Sequence, residues 1–166
     1  MFTVAGIDAS TTKTGIAIMS DGELVFYTLI DLHKVKDVMQ RVRDMMVKIC
    51  DVLERFDIDA VYMEKAFNSG NIDTTIKLAN LSGSVMLYCA KNDIDFVNPL
   101  PTEWRARIGI AQSKKIKRDV LKEEAIRAVK NEYGIDVNDD TAESILISRS
   151  AFDLPKINIT EDDLWE

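Results

Sequence analysis

The sequence predicts an α/β fold in which helices flank a five-stranded mixed sheet, with three antiparallel strands and two parallel ones. Three β-prone segments near the N-terminus, separated by short polar turns, predict an antiparallel meander. Further along, a strand, a helix and a strand follow one another over residues 60–98, which predicts a right-handed parallel crossover. Between these strands, apolar residues at helical spacing predict helices that cover the sheet. At 166 residues the chain is long enough for one complete hydrophobic core.

The first predicted strand, residues 2–7, is almost continuously apolar, which is typical of a central strand covered on both faces. Asp8 follows at its exit, where an acid is costly to bury unless it has a partner such as a cation. The second strand spans residues 15–19 and leads through a tight turn at residues 20–22 into the third, residues 23–30. We therefore expect a buried strand to present one carboxylate at its end.

The middle of the chain alternates predicted helices and strands. Eight apolar residues at helical spacing predict an amphipathic helix over residues 38–56, and a short strand at residues 60–63 ends in Glu64. A second helix is predicted over residues 72–91, followed by a strand at residues 95–98 that two prolines stop. A second carboxylate is therefore expected at a strand end.

A basic segment follows, with eight basic residues and three acidic ones between residues 104 and 127. It predicts a short helix over residues 102–110 and a longer one over residues 113–133, capped by Ser113 and ended by Gly134. Lysines and an arginine fall in the predicted first turn of the longer helix, where they oppose the helix dipole and a phosphate ligand would offset that cost. We interpret the segment either as a solvated helix face or as a surface that contacts DNA.

The last predicted helix opens with residues 138–143, which include three acids, and runs to about residue 152. Asn138 or Asp139 has the chemistry of an N-cap, which would account for one acid but not for three. Asp140 and Glu143 are three residues apart, so on a helix they share a face and their oxygens can reach one point.

The composition sets limits on the compartment and on partners. A net charge of -7 and a pI near 4.8 disfavour a general nucleic-acid binder outside the basic segment. Cys50 and Cys89 fall in predicted helices without metal-ligand spacing, so we expect reduced, buried thiols. The sequence carries no signal-peptide pattern and no bilayer-spanning apolar run, so we expect a soluble cytoplasmic protein without a membrane partner. We expect residues 1–153 to form one domain and residues 154–166 a loosely held acidic tail.

Four acids stand out as a candidate metal site: Asp8 and Glu64 at strand ends, and Asp140 and Glu143 on the last helix. Their mutual repulsion would raise the pKa of some of them, and bound Mg²⁺ or Mn²⁺ would relieve it. Two such ions about 4 Å apart can hold a scissile phosphate, activate water and stabilise the leaving oxygen. The four acids therefore predict phosphodiester hydrolysis, although each could instead be a helix cap, a surface charge or an ion-pair partner.

Four sequence motifs occur in an order and at a spacing that resemble RuvC-type Holliday junction resolvases over residues 3–152. The motifs are Gly6-Ile7-Asp8, Thr14-Gly15-Ile16-Ala17, Met63-Glu64-Lys65-Ala66-Phe67 and Asp140-Thr141-Ala142-Glu143-Ser144-Ile145-Leu146. The resemblance implies a ribonuclease H-like fold and a homodimer whose two sites nick branched DNA, such as a four-way junction, in opposed strands. It also implies Mg²⁺ as the cofactor, with two ions per site, and we expect Mn²⁺ to substitute.

The resemblance further implies roles for individual residues. Asp8, Glu64, Asp140 and Glu143 match the family's four metal-binding, catalytic acids. Lys115 and Lys117 fall near the family's basic residues that approach the scissile phosphate, and Lys117 is expected to take part in catalysis. Phe67 matches an aromatic residue that engages bases near the junction centre, although a Phe just past a strand often only packs. The expected DNA contacts are Ser10, Lys13, Phe67, Arg105, Arg107, Lys114, Lys115, Lys117 and Arg118.

The chain departs from the family pattern in two places. Glu143 stands where the bacterial enzymes usually carry Asp, and Ala9-Ser10 stands where they usually carry Pro-Gly. Small residues at positions 79 and 82–84 of the second helix allow close approach, either to the sheet or to a second subunit.

Three other functions are consistent with the same residues. A broader nuclease would cut flaps and forks as readily as four-way junctions. A junction-binding scaffold would bind without cleavage, although all four acids are present. The loop at residues 6–13 also resembles the first phosphate loop of actin-like ATPases and sugar kinases. Those proteins bind nucleotide between two domains, and this chain shows no second glycine-rich phosphate loop.

Overall fold

One mixed sheet of five strands forms the centre of the computed structural model, which describes residues 1–65, 72–110 and 116–160. The strands are β1 (Thr3–Asp8), β2 (Lys13–Ser20), β3 (Glu23–Asp31), β4 (Ala60–Met63) and β5 (Asp95–Val97). They lie in the order β3-β2-β1-β4-β5. The pairs β1–β2 and β2–β3 are antiparallel, and the pairs β1–β4 and β4–β5 are parallel. The predicted α/β fold with its meander and its parallel pair is confirmed.

The tight turn between β2 and β3 also has the predicted chemistry. Asp21 and Gly22 have φ angles of 47° and 88°, the left-handed region that a two-residue hairpin turn requires. The Asp21 side chain accepts a hydrogen bond from the Phe2 backbone N–H at 2.8 Å, which ties the turn to the start of the chain.

In the described residues five helices cover the two faces of the sheet. They are α1 (Val38–Leu53), α2 (Ile72–Lys91), α3 (Pro101–Ile108), α4 (Arg118–Tyr133) and α5 (Asp139–Arg149). Because strand side chains alternate, Ile16 and Ile18 pack with α1 and α2, whereas Ala17 between them packs with α3, α4 and α5. We call these the α1/α2 face and the α3–α5 face. A search of the described helices finds none with the length and apolar character needed to cross a membrane.

Helix α5 lies directly on β1 and β2 because two glycines leave room for its backbone. A Cβ atom on Gly6 would overlap the Ser144 carbonyl oxygen, and one on Gly15 would overlap the Asp140 carbonyl oxygen. Any larger residue at either position would therefore push the helix away from the sheet. This contact sets the height of Asp140 and Glu143 above the sheet.

The start of α4 corrects the prediction. The helix was expected from Ser113, but it begins at Arg118, and residues 116 and 117 are not helical. Lys117 is its N-cap residue with extended backbone, at φ -69° and ψ 148°. The later start is electrostatically favourable, because fewer cations lie in the first turn and the acid Asp119 lies there. Ser113 itself lies outside the described residues.

The other helix ends differ from the prediction by no more than a turn. Helix α1 ends at Leu53 rather than at residue 56, and α5 ends at Arg149 rather than at residue 152. Helix α3 ends before Gly109, whose φ of 84° is the left-handed conformation of a glycine cap. Apolar spacing continues through such terminal turns, so the pattern overestimates helix length.

The start of the expected tail is held to the domain. The Ile157 and Ile159 backbone N–H groups donate to the carbonyl oxygens of Ile108 and Gly109, at 2.8 and 2.9 Å. The Arg149 side chain also donates to the Pro155 carbonyl oxygen at 2.6 Å. The expectation of a loosely held tail is therefore wrong for residues 155–160, because the end of α3 offers backbone groups for pairing. Residues 161–166 lie outside the described part of the chain.

Both cysteines are free and lie in helices of the α1/α2 face, as expected. Cys89 is buried and Cys50 is partly buried. Burial is the largest cause that raises the pKa of each thiol to about 11. Both thiols are therefore protonated at neutral pH, which is typical of structural cysteines.

Candidate active site

β1 and β4 end side by side, and each delivers one acid. Ile7 pairs with Met63 in the parallel register, so the following residues, Asp8 and Glu64, leave the sheet as neighbours. The Glu64 backbone N–H donates to the Ile7 carbonyl oxygen at 3.2 Å, which extends the pairing by one residue. Asp8 is two residues beyond Gly6, which α5 covers, so by strand alternation its side chain lies on the α3–α5 face.

Helix α5 delivers the other two acids from its first turns. Asn138 is the N-cap, because its Oδ1 accepts a hydrogen bond from the Thr141 backbone N–H at 3.0 Å. Asp139 forms an ion pair with Lys122 of α4, so it has a structural partner. Asp140 is partly buried and Glu143 is buried. The cap and the ion pair therefore account for Asn138 and Asp139, whereas the roles of Asp140 and Glu143 depend on the groups that surround them.

The four acids are close enough to perturb one another. Burial is the largest cause that raises the pKa of Asp8 well above its usual range, and the charges of Glu143, Glu64 and Asp140 raise it further. Burial also raises the pKa of Glu64, although a hydrogen bond from Trp104 opposes the rise. Burial raises the pKa of Asp140 as well. Carboxylates from distant parts of the sequence thus meet in one repulsive group.

Two consecutive residues of α3 contact two of these acids. The Trp104 Nε1–H donates to Glu64 Oε2 at 2.7 Å, and Trp104 is 1% exposed. The Arg105 Nη2 forms a buried ion pair with Glu143 Oε1. The sequence predicted no role for Trp104 and predicted Arg105 only as a DNA contact. A tryptophan on a short helix is usually a core residue, and no local pattern marks it as a partner of Glu64.

A cleft of about 420 Å³ brings three of the four predicted acids together, and Asp140 is not among the residues that line it. Asp8, Glu64 and Glu143 line it, together with Ser10 of the first loop. Helix α2 contributes polar and apolar side chains to the lining. The lining residues are Asp8, Ala9, Ser10, Met63, Glu64, Lys65, Thr74, Leu78, Ser82, Pro101, Arg105, Arg118 and Glu143.

The donor set fits a hard divalent cation. Carboxylate oxygens are the ligands that Mg²⁺ and Mn²⁺ prefer. Burial, and after it the charges of the neighbouring acids, raise the pKa of Asp8, and a bound cation would favour its ionised form. Within the described ranges no three acidic, His or Cys side chains converge tightly enough to form a closed cage. The acids are therefore gathered around one cleft but are not drawn onto a single point.

The first loop holds two of the expected DNA contacts. The Ser10 hydroxyl donates to the Lys13 carbonyl oxygen at 2.6 Å and accepts from the backbone N–H groups of Thr12 and Lys13 at 3.1 and 2.9 Å. The Lys13 ammonium lies 3.8 Å from Asp31 Oδ2 and is exposed. The loop is therefore closed by its own hydrogen bonds and keeps a cation at the surface.

The other expected DNA contacts fall into three groups. Arg107, Lys117 and Arg118 are exposed, and Arg118 also lines the cleft. Arg105 is buried against Glu143 rather than exposed on the surface. Phe67, Lys114 and Lys115 lie outside the described residues.

Comparison with known proteins finds one family. A sequence model of the family described as crossover junction endodeoxyribonuclease RuvC matches residues 4–146. The RuvC protein of Bifidobacterium longum is 29% identical over 119 residues, covering 68% of this chain and 61% of that protein. The RuvC protein of Thermotoga petrophila is 28% identical over 152 residues, covering 87% of this chain and 88% of that protein. The chain thus spans less than two thirds of the length of the first of these relatives.

A solved structure shares the fold. The structure described as T. thermophilus RuvC in complex with a Holliday junction substrate matches with a TM-score of 0.73 and 18% identity. The match covers 90% of this chain and 92% of that one. At this identity the match establishes the architecture, and the ribonuclease H-like expectation agrees with it.

Proposed function

Because the chain belongs to the RuvC family, we propose that it is a metal-dependent endonuclease that nicks Holliday junctions by phosphodiester hydrolysis. One observation carries the proposal: Asp8, Glu64 and Glu143 line a single cleft, and Asp140 is close enough for its charge to raise the pKa of Asp8. A likeness of fold to a RuvC protein that binds a Holliday junction supports the choice of substrate.

The proposed ligands of the metal are the carboxylates of Asp8, Glu64, Asp140 and Glu143. We propose Mg²⁺ as the cofactor, with two ions per site and with Mn²⁺ able to substitute. When bound, the metal would supply charge neutralisation at the scissile phosphate and activation of the attacking water. The chain's own part is to hold the carboxylates ionised and oriented, and the hydrogen bond from Trp104 to Glu64 serves both purposes.

The basic residues are proposed to hold the DNA backbone. Lys117 and Arg118 lie where α4 begins, and Arg118 lines the cleft, so we assign them to the phosphate next to the scissile bond. Ser10, Lys13 and Arg107 are proposed as further contacts, together with Phe67, Lys114 and Lys115. Binding should weaken steeply as salt rises, because such contacts release counterions. A flat salt response would remove the basic segment from the interface.

We propose that the protein acts as a homodimer, so that two sites can nick opposed strands. Exposed apolar side chains on α1 and α2 support this proposal, among them Met39 at 67% and Leu87 at 60% exposure. Together with Ala79 and Gly83 they line an open groove between the two helices. A second copy of the chain would cover these apolar side chains.

The test is divalent-dependent nicking of a synthetic four-way junction by wild type, Asp8→Asn and Glu64→Gln. We expect each substitution to reduce nicking by about 10³-fold or more, because a charged ligand is lost where charge develops. Junction binding, measured by gel shift without divalent cation, should be retained. Asp95→Asn is the matched control, because Asp95 is an exposed strand acid outside the cleft, and it should cut normally. Unchanged nicking by both cleft variants would refute the proposal.

A substrate panel addresses selectivity with the same proteins. We expect four-way junctions to be cut faster than three-way junctions, flaps and linear duplex. Equal rates on flaps and forks would support the broader branched-DNA nuclease instead. Tight junction binding by wild type with no cutting of any substrate would indicate a scaffold protein.

A further inference from the structure

A buried arginine lies among the acids of the cleft. Arg105 is 9% exposed, and its Nη2 forms an ion pair with Glu143 Oε1, which is itself 5% exposed as a residue. The Arg105 guanidinium carbon also lies 4.5 Å from the centre of the Trp104 ring. Because a guanidinium stays protonated in proteins, the cleft contains a permanent positive charge, which contacts the Glu143 carboxylate and the Trp104 ring.

The pairing singles out Glu143 among the four acids. Glu64 accepts its hydrogen bond from the neutral Trp104 N–H. Within the described ranges, the Asp8 and Asp140 carboxylates form no ion pair. Of the four acids, Glu143 is therefore the one that the described part of the chain holds in a direct ion pair, although the charge of Arg105 also lowers the pKa of Glu64.

This internal pairing conflicts with metal binding at the same carboxylate. A guanidinium and a divalent cation on one carboxylate repel each other strongly where little water screens them. Arg105 and Glu143 both line the cleft, so the ion pair lies where a bound cation would have to reach Glu143.

We propose that Arg105 is an internal counter-ion that neutralises Glu143 in the metal-free protein and competes with a divalent cation for that carboxylate. The inference rests on the proposed metal site and deepens it. Arg105 acts through Glu143, so it is a positioning residue. Its presence stabilises the metal-free cleft and lowers the affinity of the cleft for the ion.

The test is calorimetric titration of Mn²⁺ into metal-free protein without DNA, for wild type, Arg105→Met, Glu143→Gln and the double variant. Arg105→Met should bind Mn²⁺ about tenfold more tightly, which corresponds to about 1.4 kcal/mol. In the Glu143→Gln background the same substitution should change the affinity less than about twofold, since the contested carboxylate is gone. An equal gain in both backgrounds would mean a general charge effect and would overturn the competition.

Matched variants keep the result interpretable. Arg127→Met removes an arginine that pairs with the buried Glu124 at 3.0 Å but does not line the cleft, so its Mn²⁺ affinity should equal that of wild type. If circular dichroism shows that Arg105→Met is unfolded, Arg105→Gln replaces it, because it keeps a polar head near Glu143 and the same expected gain. Absence of Mn²⁺ binding by wild type would sink the proposed metal site. Binding by wild type with unchanged or weaker affinity in the Arg105 variant would overturn this inference alone.

Discussion

The two faces of the sheet differ in what they bury. In the described part of α1 and α2 no polar or charged residue is buried as a whole, although the Arg41 Nε atom is buried. These helices fill their side of the core with residues such as Met45, Ile49 and Leu81. The α3–α5 face instead buries charged and hydroxyl side chains within its core. They are Arg105, Glu124, Thr141, Glu143, Ser144, Ser148 and Arg149.

The outer surfaces of the two sets of helices differ in how many apolar side chains they expose. Among the described residues, six of the ten exposed large apolar side chains lie on α1 and α2, and none lies on α3, α4 or α5. An apolar core needs no partner groups, so α1 and α2 are free to carry apolar side chains outward for another surface to cover. Buried polar side chains must be satisfied inside, as the Trp104 and Arg105 contacts to the acids illustrate. The α3–α5 face therefore carries the candidate active site, and the α1/α2 face carries an apolar core and an apolar outer surface.

The largest expected difference between the two faces is the effect on stability of replacing a glycine by alanine. Gly15→Ala should cost more than about 3 kcal/mol of unfolding free energy, because the new Cβ would overlap the Asp140 carbonyl oxygen and lift α5 from the sheet. Gly83→Ala, in the middle of α2 with open space around it, should instead add about 0.5–1 kcal/mol. Urea unfolding of both variants measures the pair, and equal effects would break the distinction between the faces.

The next contrast removes one polar group from an aromatic residue on each face. Trp104→Phe removes the N–H donor to Glu64 and should cost about 1.5–3 kcal/mol, together with about tenfold in nicking rate. The hydrogen bond lowers the pKa of Glu64, so its loss should also move the acidic limb of the pH–rate profile to higher pH. Tyr88→Phe on α2 should change stability by less than about 0.5 kcal/mol and leave nicking intact. A normal pH profile in Trp104→Phe would contradict the role of the hydrogen bond.

A third prediction concerns stability without metal. The pKa of Asp8 is raised in the fold, so its contribution to stability is present below the usual Asp range and is lost as pH rises through the raised value. Asp8→Asn should therefore stabilise the metal-free protein at pH 7 by about 0.5–2 kcal/mol, with the gain vanishing toward pH 4.

Thermal unfolding between pH 4 and pH 7 measures this effect, and Asp31 provides a control because its pKa is shifted in the opposite direction. Hydrogen bonds from His33 lower the pKa of Asp31, so its contribution is present at neutral pH and is lost as pH falls. Asp31→Asn should give no gain at pH 7. A metal-free Asp8→Asn protein that is less stable than wild type at pH 7 would contradict the prediction.

The smallest effect on the folded chain is expected on the α1/α2 surface. Leu87→Glu should change the free energy of unfolding of the monomer by less than about 0.5 kcal/mol, because the side chain is 60% exposed. It should nevertheless abolish the proposed dimer in sedimentation velocity. Asn131→Glu adds the same charge to an exposed position on α4 and should leave the sedimentation coefficient unchanged. Identical sedimentation of wild type and Leu87→Glu would remove this groove from the interface.

The contrast between the faces also explains how well each was predicted. The apolar spacing of α1 and α2 is visible in the sequence because these helices bury one side only, and the bounds of α2 agree with those expected. Helix α5 buries all its residues from Thr141 to Arg149, so its apolar residues mark no single buried side. The ends of α1 and α5 were each predicted about three residues too late, so the error at helix ends is the same on both faces. The start of α4 was misjudged because helix propensity continues through residues 116 and 117, where the backbone is extended or irregular.

The sequence by itself determined the order of the strands along the chain, the acids at two strand ends and the family motifs, because these depend on local pattern and spacing. Only the tertiary structure decided that Trp104 donates to Glu64 and that Arg105 neutralises Glu143. The partners in these contacts are 40 and 38 residues apart, and no local pattern specifies which buried polar groups meet across that separation. The pairing follows from β-strand register and from the approach of α5 to two glycines, which are properties of the assembled fold.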